Sequence, residues 1–277
     1  MCANEISSIE LSMKAFHLLA GFKPDQACRV LRKLLDSSVT SERACGIEYF
    51  RSVEGKLPGY MVCRSKKEAR QLGLSDLDWE LAKRFRRAGA ELTPSGITIP
   101  SYLNLSGIHG PLSLPIIRVE LLNMAYSSEL ILPSLEVVPG DFLNLVGSQN
   151  ISLPTLVKAC GDVTATRASG LHLPALQIID GVLALGGTNG ECLPRLVSAG
   201  CVSAFQANHL NLPWLQHIQF DLYAVESLGM NVPELTRVGG VLNVRKSNGF
   251  SAHKLTRARI FLKGDHRDLQ LPTFRTA

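Results

Sequence analysis

From residue 99 onward the apolar positions recur with a double rhythm. A phrase of the form Leu-Pro-x-Leu returns as LPII at 114, LPSL at 132, LPTL at 153, LPAL at 173, LPRL at 193, LPWL at 212, VPEL at 232, a degenerate HKL at 253 and LPTF at 271. Successive starts lie 18, 21, 20, 20, 19, 20, 21 and 18 residues apart, the mark of an internal repeat. Between the phrases sit short alternating segments: YLNL from 102, FLNL from 142, DVTA from 162, VLAL from 182, VSAF from 202, LYAV from 222 and VLNV from 241. Alternation of period two predicts one short strand per repeat. A further apolar residue stands two positions before the phrase at Leu130, Ile151, Leu171, Leu210 and Met230. All these positions are expected to point inward.

One such repeat is too small to bury its own apolar side. Stacked repeats share a core and pair their strands edge to edge, about 4.8 Å apart. Proline fixes φ and removes an N–H donor, so the Leu-Pro step is expected on a return limb outside the ladder. The pattern predicts a solenoid of eight or nine turns over 99–277, with a parallel sheet lining a concave face.

Through these phrases, residues 99–277 resemble the bacterial leucine-rich-repeat proteins, including the short LPxL repeats of secreted pathogen effectors. The chain departs from those effectors in having one Leu-Pro phrase per repeat and irregular middles such as TRASG and GTNGE. The effector repeats carry a doubled phrase and an Asn after the strand. The resemblance implies an α/β solenoid of the leucine-rich-repeat kind, protein recognition without catalysis, and action inside a host cell.

Residues 1–98 contain no LPxL phrase and read as a helical capping domain. EISSIELSMKAFHLLAGF spaces its apolar residues helically, and KPDQACRVLRKLLDSS opens with Pro24 and Asp25 at a helix start. SKKEARQLGLSDLDWELAKRFRRAGAELT predicts two more helices separated near Gly73, with Ser75 capping the second. The same stretch admits a helix-turn-helix reading, in which Lys66, Lys67, Arg70, Lys83, Arg84, Arg86 and Arg87 would contact phosphates. Against it, Asp76, Asp78 and Glu80 lie inside the supposed recognition helix.

Composition narrows the picture little. A formal net charge of +5 falls short of a dedicated nucleic-acid binder. Seven cysteines without a CxxC pair suggest free thiols in a reducing compartment. No Sec-type leader or membrane-length apolar run is visible, so the expected location is the cytoplasm, or a host cell reached by another export route. No P-loop, GxSxG elbow, HExxH helix or metal-ligand spacing occurs, so neither catalysis nor a cofactor or metal is expected. Some effectors with LPxL repeats carry a ubiquitin-ligase domain with a nucleophilic Cys in a C-x-D motif. Cys160, Gly161 and Asp162 match that motif, but they fall inside the repeats rather than in a separate helical domain after them.

If the alternate apolar residues point inward, the residues between them project outward in two columns. One runs Asn104, Asn123, Asn144, Thr164, Ala184, Ser203, Tyr223 and Asn243; the other runs Ser106, Ala125, Val146, Thr166, Gly186, Phe205, Val225 and Arg245. The later turns bring in aromatics and a cation, the residue types that dominate interface energetics. A partner-binding patch is therefore expected at Phe205, Tyr223, Val225, Asn243 and Arg245. From Arg245 to Ala277 there are eight Lys and Arg against Asp265 and Asp268, a net of 8 − 2 = +6, read as a solvated basic end.

Overall fold

The computed structural model describes residues 65–67, 76–93, 96–261 and 268–271. The chain divides into two compact units, Met1–Leu103 with Ser113–Arg118, and Asn104–Leu112 with Val119–Ala277.

In the first unit the helix Asp76–Arg87 follows the predicted break near Gly73. Leu81 and Phe85, four residues apart and so on one helical face, are fully buried. Glu91–Thr93 then pairs antiparallel with the start of Gly96–Asn104, in the register Glu91↔Thr98 and Thr93↔Gly96. The other helices expected before residue 98, with Ser75, lie outside the described residues apart from Ser65, Lys66 and Lys67.

The second unit is a parallel β-solenoid. Leu122, Leu143, Val163, Leu183, Val202, Leu222, Leu242 and Ile260 partner one another in series, one per coil. This is the strand column that the alternating segments predicted. A second column links Val138, Ala159, Ile179, Ala199, Ile218 and Val238. Single bridges continue the pairing on the remaining side, for example Ile131–Ser152–His172 and Cys192–Asn211–Asn231–Ser251–Gln270.

The return limb therefore pairs as well, through residues just before each LPxL phrase, while the prolines sit in turns outside the ladder as expected. Among its described residues this unit contains no helix, so an α/β composition does not describe it. The reason lies in the LPxL phrase, which makes a tight corner rather than a long limb. Leu156 N–H donates to the Leu153 carbonyl at 3.3 Å and Leu196 N–H to that of Leu193 at 3.3 Å. Proline occupies the second place of these Leu-Pro turns, where its fixed φ fits and no N–H is required. In the degenerate repeat the turn closes from Leu255 N–H to the Ala252 carbonyl at 3.3 Å. It therefore begins one residue earlier than the HKL phrase suggested, and the spacings become 252 − 232 = 20 and 271 − 252 = 19.

A second turn follows the strand column. Ser148 N–H reaches the Leu145 carbonyl at 3.1 Å and Thr188 N–H that of Leu185 at 3.3 Å. Its third residue is left-handed in successive coils, at Tyr126, Gly147, Arg167, Gly187, Gln206, Glu226 and Lys246 with φ of 54–67°. These two turns account for the irregular middles of the repeats. The last turn residue is often a buried Ser or Thr whose hydroxyl donates back to the turn carbonyl, as Ser148 does to Leu145 and Thr188 to Leu185, both at 2.8 Å. A buried hydroxyl is costly unless bonded, and this bond satisfies it inside the turn.

Inside a coil the inward residues form an apolar ring: Leu153, Leu156, Ala159, Val163, Ala165, Ala168 and Leu171 are all at most 8% exposed. Burying one Leu contributes about 1.5–3 kcal/mol, but only because coils above and below cover it. At one corner the coils meet backbone to backbone. A Cβ on Gly161 would collide with the Asp141 carbonyl, and one on Gly200 with that of Asp180.

Candidate recognition surface

The backbone register places the outward columns as the alternation predicted. Ser203 partners Tyr223, and Tyr223 partners Asn243. One step further along each coil, Gln206 N–H donates to the Val225 carbonyl at 2.9 Å and Glu226 N–H to that of Arg245 at 3.0 Å. Phe205, Val225 and Arg245 thus hold equivalent places on three successive coils. Phe205 is 46% and Tyr223 39% exposed, while the intervening Ala204, Leu222 and Ala224 are fully buried. Ala125 holds the equivalent place, with Gly107 N–H donating to its carbonyl at 3.0 Å, but its small side chain is buried at 6% exposure.

The side chains differ in how freely they face solvent. The Tyr223 hydroxyl donates to Asp221 Oδ2 at 3.0 Å, while Asp221 Oδ1 accepts Val241 N–H at 2.6 Å. The ring is thereby tied to the sheet, and the bond to Asp221 pushes the phenol pKa up. Asn243 is committed locally: its side-chain oxygen accepts Arg245 N–H at 3.1 Å, as Asn144 accepts Val146 N–H at 3.0 Å. The Asn column therefore shapes the exit from the strand. Among the described residues, Arg245 Nε is the buried side-chain polar atom that lacks a hydrogen-bond partner.

Beside the patch runs a polar ladder that the sequence pattern did not single out. Gln206 Nε2 donates to Glu226 Oε2 at 3.0 Å, and Lys246 Nζ donates to Glu226 Oε1 at 3.2 Å. The Gln206 bond, then Lys246, holds the Glu226 carboxyl below its ordinary pKa. The signal was present in the sequence, since these residues follow Phe205, Val225 and Arg245 directly. The left-handed turn that lines them up was not visible in it.

The remaining candidates each belong to their own part of the chain. In the first unit, Lys66 pairs with Asp76 at 2.9 Å, and Lys83 pairs with Glu80 while lying 6.0 Å from the Trp79 ring centroid. Lys67 and Arg87 are exposed and Arg84 is half-buried, while Arg70 lies outside the described residues. Cys160 is a free, half-buried thiol at a coil corner. The nearby Asp162 uses Oδ1 to accept Val182 N–H at 2.7 Å. Toward the end of the solenoid, Lys254 pairs with Glu234 at 2.7 Å, and Arg257 and Arg259 are exposed. Among the described residues no group of His, Cys, Asp or Glu could hold a metal ion, and no helix is long and apolar enough to cross a membrane.

A residue the pattern passed over is Glu191. It stands two positions before LPRL, where the neighbouring repeats have Leu171 and Leu210, and it is buried at 5% exposure. Its carboxylate accepts Gly170 N–H at 2.9 Å and Leu171 N–H at 3.2 Å. Burial pushes its pKa up, and the two backbone donors pull it partly back.

The class that this fold defines is the parallel β-solenoid. The chain matches no protein-family model, and no characterised protein or solved structure matches it.

Proposed function

We propose that this protein recognises a protein partner without catalysis, through the sheet face centred on Phe205, Tyr223, Val225, Asn243 and Arg245. The observation that carries the reading is the exposure of two aromatics on adjacent coils, Tyr223 on a strand of the sheet and Phe205 in the turn just after the neighbouring strand Ser198–Ser203. Large aromatics on a preorganised surface lose little conformational entropy on binding. Arg245 and the Gln206–Glu226–Lys246 ladder supply a polar rim. Affinity capture with the native chain and with the Phe205→Ala, Tyr223→Ala, Arg245→Ala variant tests it. A partner retained by the native chain and lost by the variant is expected; identical capture profiles would overturn the reading.

The leucine-rich-repeat kinship, a helical segment before the repeats and an effector role inside a host cell form the wider part of this proposal. The kinship and the effector role rest on the LPxL phrases, and the helical segment on the apolar spacing and helix-start residues of 1–98. A reporter fused to the first residues should be exported by a specialised secretion system; its retention removes the effector role. Nucleic-acid binding through the basic helix has weaker support, because Lys66 and Lys83 each face a carboxylate. A ligase chemistry at Cys160 is weaker too, since Asp162 already serves the ladder.

A further inference from the structure

Glu191 interrupts more than a column of apolar side chains. Around the solenoid, the segment before each LPxL phrase makes the same backbone bonds to the next coil. Between 188–193 and 207–212, Gly190 N–H donates to Asn208, Asn208 N–H to Thr188, Asn211 N–H to Glu191 and Leu193 N–H to Asn211, at 2.8–3.2 Å. The equivalents between 148–153 and 168–173 are all present, at 2.8–3.0 Å. Between 168–173 and 188–193 none of them forms. The bridges Gln149–Ser169 and Asn189–Asn208 flank this step, as do Ser152–His172 and Cys192–Asn211, but nothing links Ser169 to Asn189 or His172 to Cys192.

The opening is local. In the same pair of coils Leu183 still partners Val163, and Arg167 N–H still reaches the Gly186 carbonyl at 2.8 Å. What replaces the missing bonds is the Glu191 carboxylate, which takes the N–H groups of Gly170 and Leu171. The result is a cleft of about 480 Å³ between Gly170–Pro174 and Asn189–Pro194, within the range of ligand sites.

The lining defines what would fit. The N–H groups of Leu173, Asn189 and Cys192 and the carbonyls of Ala168 and Leu171 lack the ladder partners that their equivalents have. Such alternating donors and acceptors match the amide groups of an extended peptide. A carboxylate accepts up to four hydrogen bonds, and Glu191 receives two from the backbone. The other titratable residues lining the cleft are His172 and Cys192, both exposed, and no Lys or Arg lines it. A buried charge calls for a counter-ion, and here the occupant would bring it.

We propose that this cleft binds an extended peptide segment carrying a basic side chain, whose amides take up the unmade ladder bonds and whose cation pairs with Glu191. The site is independent of the Phe205 and Tyr223 face, so either can fail alone.

The test is amide NMR of the full chain titrated with acetyl-Ala-Lys-Ala-amide and with its norleucine counterpart. Shifts at Gly170, Leu171, Asn189 and Cys192 are expected with the lysine peptide. Binding should weaken at least about tenfold with norleucine, and likewise for the lysine peptide against Glu191→Gln, through loss of a charge-assisted bond. Glu191→Leu restores the apolar column and should close the ladder, raising hydrogen-exchange protection at Asn189 and Cys192. Absence of shifts at those amides, equal affinity for the two peptides, or undiminished binding by Glu191→Gln would overturn the proposal.

Discussion

Single side chains in this solenoid are judged against the column they stand in. Leu, Ile, Met and Phe occupy the place before LPxL at Leu130, Ile151, Leu171, Leu210, Met230 and Phe250, and all are buried. Glu191 breaks the column with an ionisable group whose pKa burial has raised. Its folded carboxyl holds a proton more tightly than the unfolded one, so folding is favoured at low pH. That contribution is complete below the ordinary glutamate range and is lost as pH rises through the folded value. Against Glu191→Gln, native stability should therefore fall with rising pH across this window and run parallel to it elsewhere. Denaturant unfolding of both proteins at several pH values checks the sign; a difference that is constant with pH would refute it.

Elements are set by corners as much as by strands. The period-two segments and the LPxL recurrence made the strand column and the outward placement of Phe205 and Tyr223 legible in the sequence, because alternation assigns faces directly. The paired return limb was not legible. Its bridges fall on residues such as Asn211, Ser152 and His172, whose side chains carry no strand signature. Nor does a string of letters reveal a left-handed Arg167 or Glu226, since neither residue favours that conformation intrinsically. The close corner at Gly161 and Gly200 yields a prediction at this scale. Gly200→Val forces a side chain against the Asp180 and Gly181 carbonyls and should cost at least about 2 kcal/mol, as overpacking does. Valine at Gly190, where a Cβ would meet no neighbour but φ is +72°, isolates the cost of backbone strain, about 1–3 kcal/mol. Thermal melts of the two variants should show loss in both; native stability in Gly200→Val would contradict the corner packing.

At the scale of the whole molecule, function depends on which side of the solenoid meets a partner. The second unit offers aromatics on more than one side: Tyr223 on the strand column with Phe205 in the turn just after it, and Trp214, 57% exposed, at the LPxL corner. The strand column is the better suited of the two, because its residues stack in register on successive coils and carry a polar rim. The most direct measurement is site-specific photo-crosslinking in lysate, with benzoylphenylalanine replacing Phe205 in one protein and Trp214 in another. Both replacements keep an exposed aromatic and leave the core alone. A discrete adduct formed from position 205 and absent from position 214 is the predicted result. An adduct from position 214 with none from 205 would contradict recognition through the sheet face.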